Sequence, residues 1–297
     1  MTAQTATAPG GDLLTLDELA HKLRMHPDTV RGLKRRGVIP AIVIGHRTLR
    51  FSWPDGSLAL DGVDFRAERG ERIALVGANG SGKSTLLLHL GGCLAPDSGT
   101  CLIEGVPADP KGERARRTVG LTWQDPDDQL FMPTVLEDVS FGLVARGVDH
   151  VEAARRALEQ RSALGAAHLA DRAPHRLSGG EKRIAAIAGV LVTKPKVLAL
   201  DEPTASLDPK SRRRLIVLLS SLDATLVVAT HDLDMALDVC DRAVVLRRGS
   251  VAGTGPLPAI FEDREFLARC DLEPPLRFGG DGRRPTDAAR TPIPRTK

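Results

Sequence analysis

The chain has 297 residues, 42% of them hydrophobic, and a formal net charge of +3. That length suits about two domains, and the net charge is too small to make the whole chain a nucleic-acid binder. Only 3% of residues are aromatic and none is tyrosine, so aliphatic side chains and alanine must fill the core. Basic residues gather at the two ends, with Arg31, Lys34, Arg35 and Arg36 near one and Arg277, Arg283, Arg284, Arg290, Arg295 and Lys297 near the other, which leaves the middle acidic. Cys93, Cys101, Cys240 and Cys270 show neither CxxC pairing nor metal-ligand spacing, which predicts reduced thiols. No apolar run approaches the ~18 residues of a membrane span, and no signal-peptide pattern opens the chain. Work at a membrane would therefore need a partner.

In chain order, residues 1–12 are small and polar and are expected to be disordered. Residues 13–46 form a separate module in this reading. Thr15 caps a helix with Glu18 as its capping-box partner, and Leu16, Leu19, Ala20 and Leu23 share one face. A second helix carries Val30 and Leu33, and the run AIVI-GH-RTLRF reads as a hairpin. This segment resembles the helix-turn-helix modules of excisionase and MerR-type DNA-binding proteins. The resemblance implies that Arg31, Lys34, Arg35 and Arg36 lie on or after a recognition helix, with Arg47 and Arg50 on a wing, where they could meet DNA phosphates. Gly32, mid-helix, weakens that helix.

From residue 47 onward the pattern changes. Leu49, Phe51 and Trp53 alternate as a strand should, before a Pro54-Asp55-Gly56 turn. The run RIALV, residues 72–76, is a short buried strand, followed by a helix over 84–90. Another strand ends in GLTW, and 135–190 is mostly helical, with Val151, Ala154, Ala157 and Leu158 at helical spacing. The aliphatic runs VLAL and LVVA read as strands buried on both faces of a parallel sheet. Two strands flank the turn Arg248-Gly249-Ser250, and the tail, 276–297, is rich in Pro, Gly and Arg and is expected to be disordered.

Between the strand RIALV and its helix lies Gly77-Ala78-Asn79-Gly80-Ser81-Gly82-Lys83-Ser84, which fits G-x-x-x-x-G-K-[ST] in its confirming strand-to-helix context. Glycines allow the backbone N–H groups to close on phosphates, and the helix N-terminus adds partial positive charge. Lys83 would reach phosphate oxygens as a point charge, and the Ser84 hydroxyl would ligate Mg²⁺. Thr85 follows in the same turn. The strand Val197-Leu198-Ala199-Leu200 ends in Asp201 and Glu202, the first placed to hold Mg²⁺ and the second to orient or deprotonate a water.

These motifs are joined by Leu177-Ser178-Gly179-Gly180-Glu181, by Ala205-Ser206-Leu207-Asp208, and by His231 after LVVAT. The set, in this order, resembles the ABC ATPase family over roughly 49–276. The fold so implied is α/β: a P-loop ATPase domain, residues 47–275, with a helical subdomain and an antiparallel β subdomain. The resemblance further implies that Ser178, Gly179, Gly180 and Glu181 face the γ-phosphate of ATP held by the opposite monomer of a head-to-tail dimer, with Asp208 at the interface. Gln124 would touch Mg²⁺ and the attacking water, His231 would contact the γ-phosphate, and Trp53 would stack on adenine. Glu181 stands where the family more often has glutamine.

After Gln124, the run DPDDQLF-MPTV-EDV and the ending GP…IF…LEPP resemble the ATPases of cobalt and nickel importers and of energy-coupling-factor vitamin importers. That implies a homodimer or a paralogous pair, and an integral membrane subunit received by the segment after Gln124, with Leu130, Phe131 and Met132 as apolar anchors. The expected place is cytoplasmic, peripheral on the inner face of the cell membrane. The alternative reading is an ATP-gated regulator that binds DNA through residues 13–46.

Overall fold

The computed structural model describes residues 5–7, 13–15, 41–108, 110 and 113–278, with side chains from Leu49 onward except Arg114 and Ala115. At the start, β1 (Thr5–Thr7) pairs antiparallel with β2 (Leu13–Thr15). Thr5–Thr7 is thus a strand inside the stretch expected to be disordered, and Thr15, expected as a helix cap, ends a strand at the edge of the described residues. The helices expected over 16–40, and the basic cluster on them, lie outside the described residues; of the tail 276–297 expected to be disordered, Leu276–Phe278 form a 3-10 turn and the rest, from 279, also lies outside.

The hairpin expected in AIVI-GH-RTLRF is instead one strand, β3 (Ala41–Ser52). Both halves pair with β4 (Leu58–Glu68): Ile44 stands opposite Phe65, and Leu49 opposite Val63. The four residues between Ile44 and Leu49 face only Asp64, so Gly45-His46 falls within a register irregularity, not a chain reversal. The strand crosses the boundary expected at 46/47. Arg50, expected on a wing, sits on β3 and pairs loosely with Asp61 at 3.6 Å.

Next come β5 (Arg72–Val76), α1 (Lys83–Leu90), β6 (Cys101–Ile103), β7 (Val106–Pro107), α2 (Glu113–Thr118) and β8 (Val119–Thr122). Three helices follow: α3 (Val135–Val144), α4 (His150–Ala163) and α5 (Gly179–Leu191). The chain closes with β9 (Val197–Asp201), α6 (Pro209–Ser221), β10 (Thr225–Ala229), α7 (Leu233–Val239), β11 (Arg242–Arg247), β12 (Ser250–Pro256), α8 (Leu257–Glu262) and α9 (Arg264–Arg269).

Two sheets carry the domain. One has the order β4-β3-β6-β7 and is antiparallel. The other runs β12-β11-β5-β10-β9-β8, parallel except for the edge strand β12. Every residue of β9 and β10 is buried, as their aliphatic runs predict. Alternation splits each strand between two cores. Ala74, Val76, Leu198, Leu200, Leu226 and Val228 pack with α5 and its neighbours. Ile73, Leu75, Ala199, Val227 and Ala229 face α1 and the antiparallel sheet.

Helices start where local chemistry satisfies their free N–H groups. Thr134 and Glu137 form a capping box on α3, and the Asp149 carboxylate accepts from Val151 and Glu152 on α4. On α4 the helix is as expected, and of the four residues named at helical spacing Ala157 is buried. Ala153, Ala157 and Arg161 are buried, whereas Val151 is 79% exposed and Leu158 43%.

Candidate active site

In the parallel sheet, β5, β10, β9 and β8 lie side by side, so their C-terminal ends form one rim. From that rim emerge the phosphate loop after β5, His231 after β10, Glu202 after β9 and Gln124 after β8. Strand order thus assembles residues up to 154 positions apart, from Gly77 to His231. The loop's own geometry requires glycine: Gly82 has φ 103°, and a Cβ there would lie 2.7 Å from the Ala59 carbonyl oxygen. At Gly77 a Cβ would collide with the Leu246 carbonyl oxygen.

Lys83 is buried, and its Nζ donates to the carbonyls of Gly77 (2.7 Å) and Ala78 (3.1 Å). Burial lowers its pKa, opposed by the carboxylates of Glu202 and Asp201. Asp201 is buried at the end of β9, and burial raises its pKa, opposed by a hydrogen bond from Ser84 and by Lys83. The Asp201 N–H donates to Thr122 Oγ1 at 3.2 Å, which locks adjacent strand ends together.

Glu202 adopts φ 46°, a left-handed conformation that costs about 1–3 kcal/mol for a side-chain-bearing residue. Its carboxylate is held by three donors: Thr230 Oγ1 at 3.2 Å, the His231 N–H at 3.1 Å and His231 Nδ1 at 2.8 Å. Thr230 was not singled out in the sequence, yet it is fully buried and aims its hydroxyl at Glu202.

A cavity of about 450 Å³ is lined by Trp53, Asn79, Gly80, Gly82, Lys83, Ser84, Thr85, Gln124, Asp201 and Glu202. The predicted nucleotide residues on this side are therefore together. Trp53 is 37% exposed, with its ring set edge-on to Phe51 at 5.1 Å. Ala78, His231 and Gln124 share a neighbouring cavity with the described C-terminal stretch from Asp271 to Leu276. That stretch is fastened by Asp234, which accepts from the N–H groups of Leu276 (3.0 Å) and Arg277 (3.3 Å).

Ser178, Gly180, Glu181 and Asp208 lie elsewhere, around another cavity of about 450 Å³ that shares no residue with the Lys83 cavity. Gly179 lines this cavity and also a cleft of about 650 Å³ that reaches Ser84, Gln124 and Asp201. Glu181 has a structural reason for its carboxylate. Ser178 Oγ accepts from the Glu181 N–H at 3.3 Å, and Glu181 Oε2 accepts from the Ser178 N–H at 2.8 Å. Asp208 caps α6, accepting from the N–H groups of Lys210 and Ser211.

Arg183, another residue not singled out in the sequence, projects from α5 to the segment after β8. Its guanidinium donates to the carbonyls of Trp123 (2.9 Å) and Gln124 (2.6 Å). The only signal for it was an arginine one helical turn past the Ser-Gly-Gly start. Of the expected apolar anchors, Leu130 packs partly into the core, Met132 is half-buried, and Phe131 is 64% exposed with its ring edge-on to Phe141 at 4.9 Å.

A loop of N–H groups and a buried lysine, a serine and two carboxylates at strand ends define a P-loop nucleotide-hydrolysing domain. A family model described as ABC transporter matches residues 60–205. A putative ABC transporter ATP-binding protein of Geobacter sulfurreducens is 49% identical over 239 residues, covering 80% of this chain and 96% of that protein. The energy-coupling factor transporter ATP-binding protein EcfA of Methanothermobacter thermautotrophicus is 43% identical over 235 residues, 77% of this chain and 76% of its own.

Among solved structures, cbiO1 of Clostridium perfringens, part of the ABC transporter complex cbiONQ, is 38% identical with a TM-score of 0.65, covering 77% of this chain and 94% of cbiO1. The ATP-binding cassette MJ0796, dimeric in a post-hydrolysis state with ADP and Pi, is 28% identical with the same TM-score, covering 74% and 98%. This chain belongs to the ABC transporter ATP-binding proteins, and it is an ATPase subunit that binds ATP. Mg²⁺, which such cassettes usually take with ATP, fits the site: Ser84, Gln124 and Asp201 line the same cavity, an oxygen donor set suited to a hard cation.

Proposed function

We propose that this chain hydrolyses ATP as a head-to-tail dimer and so drives an importer for a transition-metal ion or a vitamin. The observation that carries the dimer is the separation of the two halves of the site. Ser178 and Gly180 line a cavity with no residue in common with that of Lys83. In this reading they act on the nucleotide of the opposite protomer, with Asp208 at the interface. The dimeric solved structure of MJ0796 with ADP and Pi supports it. The importer class rests on the likeness to EcfA and cbiO1. The partner is either a second copy or a paralogue.

Each residue then has a task. Trp53 offers its ring face to adenine. The N–H groups from Gly77 through Thr85, with the α1 N-terminus, hold the phosphates, and Lys83 neutralises charge on them. Ser84, Asp201 and Gln124 would hold Mg²⁺, which supplies charge neutralisation at the phosphate oxygens. Glu202 orients a water for in-line attack and takes up its proton, and His231 contacts the γ-phosphate from the next strand end. Glu181 sets the start of α5 so that Ser178, with the N–H groups of Gly179 and Gly180, faces the partner's γ-phosphate.

No helix among the described residues is long and apolar enough to cross a membrane. The exposed Phe131–Phe141 pair offers an apolar contact for an integral membrane subunit, which would hold the chain at the inner membrane face. Mixing Lys83→Ala and Ser178→Arg protomers tests the dimer. One composite site then carries both lesions and the other neither. Activity should return in the mixture although neither parent hydrolyses; normal turnover by Ser178→Arg alone would refute the arrangement.

A further inference from the structure

Arg183 occupies an unusual place. It lies on α5, five residues after Ser178, yet its side chain is 5% exposed and its guanidinium leaves the helix for the strand rim. One arm reaches the Trp123 carbonyl at 2.9 Å and, more distantly, the Asp201 carbonyl at 3.5 Å. The other donates to the Gln124 carbonyl at 2.6 Å. A planar fork gripping two successive carbonyls fixes the direction of that backbone, which lysine, a point donor, cannot do. The cation is kept in place although burial lowers its pKa; the facing charges are Asp201, Asp125 and Glu202. Burying a guanidinium is costly, and Nε is left without a partner.

Two further ties run the same way. Gln129 Oε1 accepts from the Trp123 N–H at 3.3 Å while its Nε2 donates to the Ala186 carbonyl on α5 at 3.0 Å. Lys182 pairs with Asp127 at 2.6 Å. The segment carrying Gln124 is therefore bound to α5 by three side chains, of which Arg183 is the most buried and holds Gln124 itself.

We propose that Arg183 is a positioning residue for hydrolysis: it sets the Gln124 backbone so that the Gln124 side chain enters the nucleotide cavity. This rests on the assignment of Gln124 to the metal and the attacking water. It also has a consequence for the dimer. Since α5 begins at the Ser178 turn that serves the partner's nucleotide, any shift of α5 on engaging that nucleotide is passed by Arg183 to the chain's own Gln124.

The test is a double-mutant cycle in the full-length protein with Arg183→Gln, Gln124→Ala and both together, measuring kcat and KM for MgATP hydrolysis. Arg183→Gln should lower kcat about 10-fold with KM changed less than about 2-fold, because the phosphate loop is untouched. The double variant should be no slower than Gln124→Ala alone, to within about 2-fold, since two residues acting through one contact are not additive. If the two losses multiply, or if Arg183→Gln turns over normally while Gln124→Ala is slow, this inference is wrong and the site assignment stands. If Gln124→Ala itself hydrolyses normally, both fall. Arg183→Lys, which keeps a buried cation without the fork, carries the same expectations where the glutamine variant does not fold.

Discussion

The Glu202 carboxylate accepts hydrogen bonds from both the backbone N–H and the Nδ1 of His231, at 3.1 and 2.8 Å, across two adjacent strand ends. With Nδ1 donating, Nε2 of the exposed ring is left free to meet another group. The pair couples the placement of the water-orienting carboxylate to that of the γ-phosphate contact. His231→Ala should therefore lower kcat by at least about 10-fold and alter KM for ATP by less than about 3-fold in steady-state assays.

Trp53 is held by a turn in which its N–H donates to the Ser57 carbonyl at 2.9 Å and its carbonyl accepts from Gly56 at 2.8 Å. Its ring lines the Lys83 cavity. Trp53→Ala should raise the ATP dissociation constant by about 3- to 10-fold, the worth of an aromatic stack, and leave kcat within about 2-fold. Trp53→Tyr should restore binding.

Glu181 ties the start of α5 to Ser178. Its pKa is lowered, first by the Ser178 N–H and also by the Ser178 hydroxyl, Arg172 and His168. A lowered carboxylate pKa adds stability that is present above the unfolded-state pKa and lost as pH falls through the folded-state value. Glu181→Gln keeps the capping box but not the charge. It should cost no more than about 0.5 kcal/mol at neutral pH, and that difference should shrink as pH falls below the ordinary carboxylate pKa of 4.5 toward the lower folded-state value. Urea titrations at pH 7 and pH 4 measure it.

Arg72, at the start of β5, donates to the carbonyls of Leu219 (2.8 Å), Ser220 (3.1 Å) and Leu222 (2.7 Å), which end α6. The Leu219 carbonyl also accepts from the Leu222 N–H at 3.3 Å, but carbonyls in the last turn of a helix otherwise lack intrahelical donors. Arg72→Ala should destabilise the domain by about 2–3 kcal/mol, read as a lower denaturant midpoint with an unchanged slope.

Most of the site was legible because each motif combines chemistry with a strand or helix boundary. Gly77 to Ser84, Asp201, Glu202, Gln124 and His231 all sit at the C-terminal ends of parallel strands, where aliphatic runs such as VLAL announce themselves. What stayed hidden is tertiary. Nothing local marks Arg183 or Thr230 as partners of Gln124 and Glu202, since those contacts span 59 and 28 positions. On α4 the expected apolar spacing was right for Ala157 but not for Val151 and Leu158, because small Ala153 and Ala157 meet the neighbouring helices. The hairpin in 41–51 failed because β4 can pair with both halves at once, and an eleven-residue partner strand outweighs a weak Gly-His turn signal.

The most direct measurement is ATP hydrolysis and oligomeric state in Glu202→Gln protein. Glutamine keeps the size and some hydrogen bonds of Glu202 but cannot take a proton from water. Hydrolysis should fall by at least about 10²-fold while MgATP still binds, and size-exclusion with MgATP should shift the variant from monomer to a stable dimer. Full turnover by Glu202→Gln, or a chain that stays monomeric with ATP bound, would contradict the composite site.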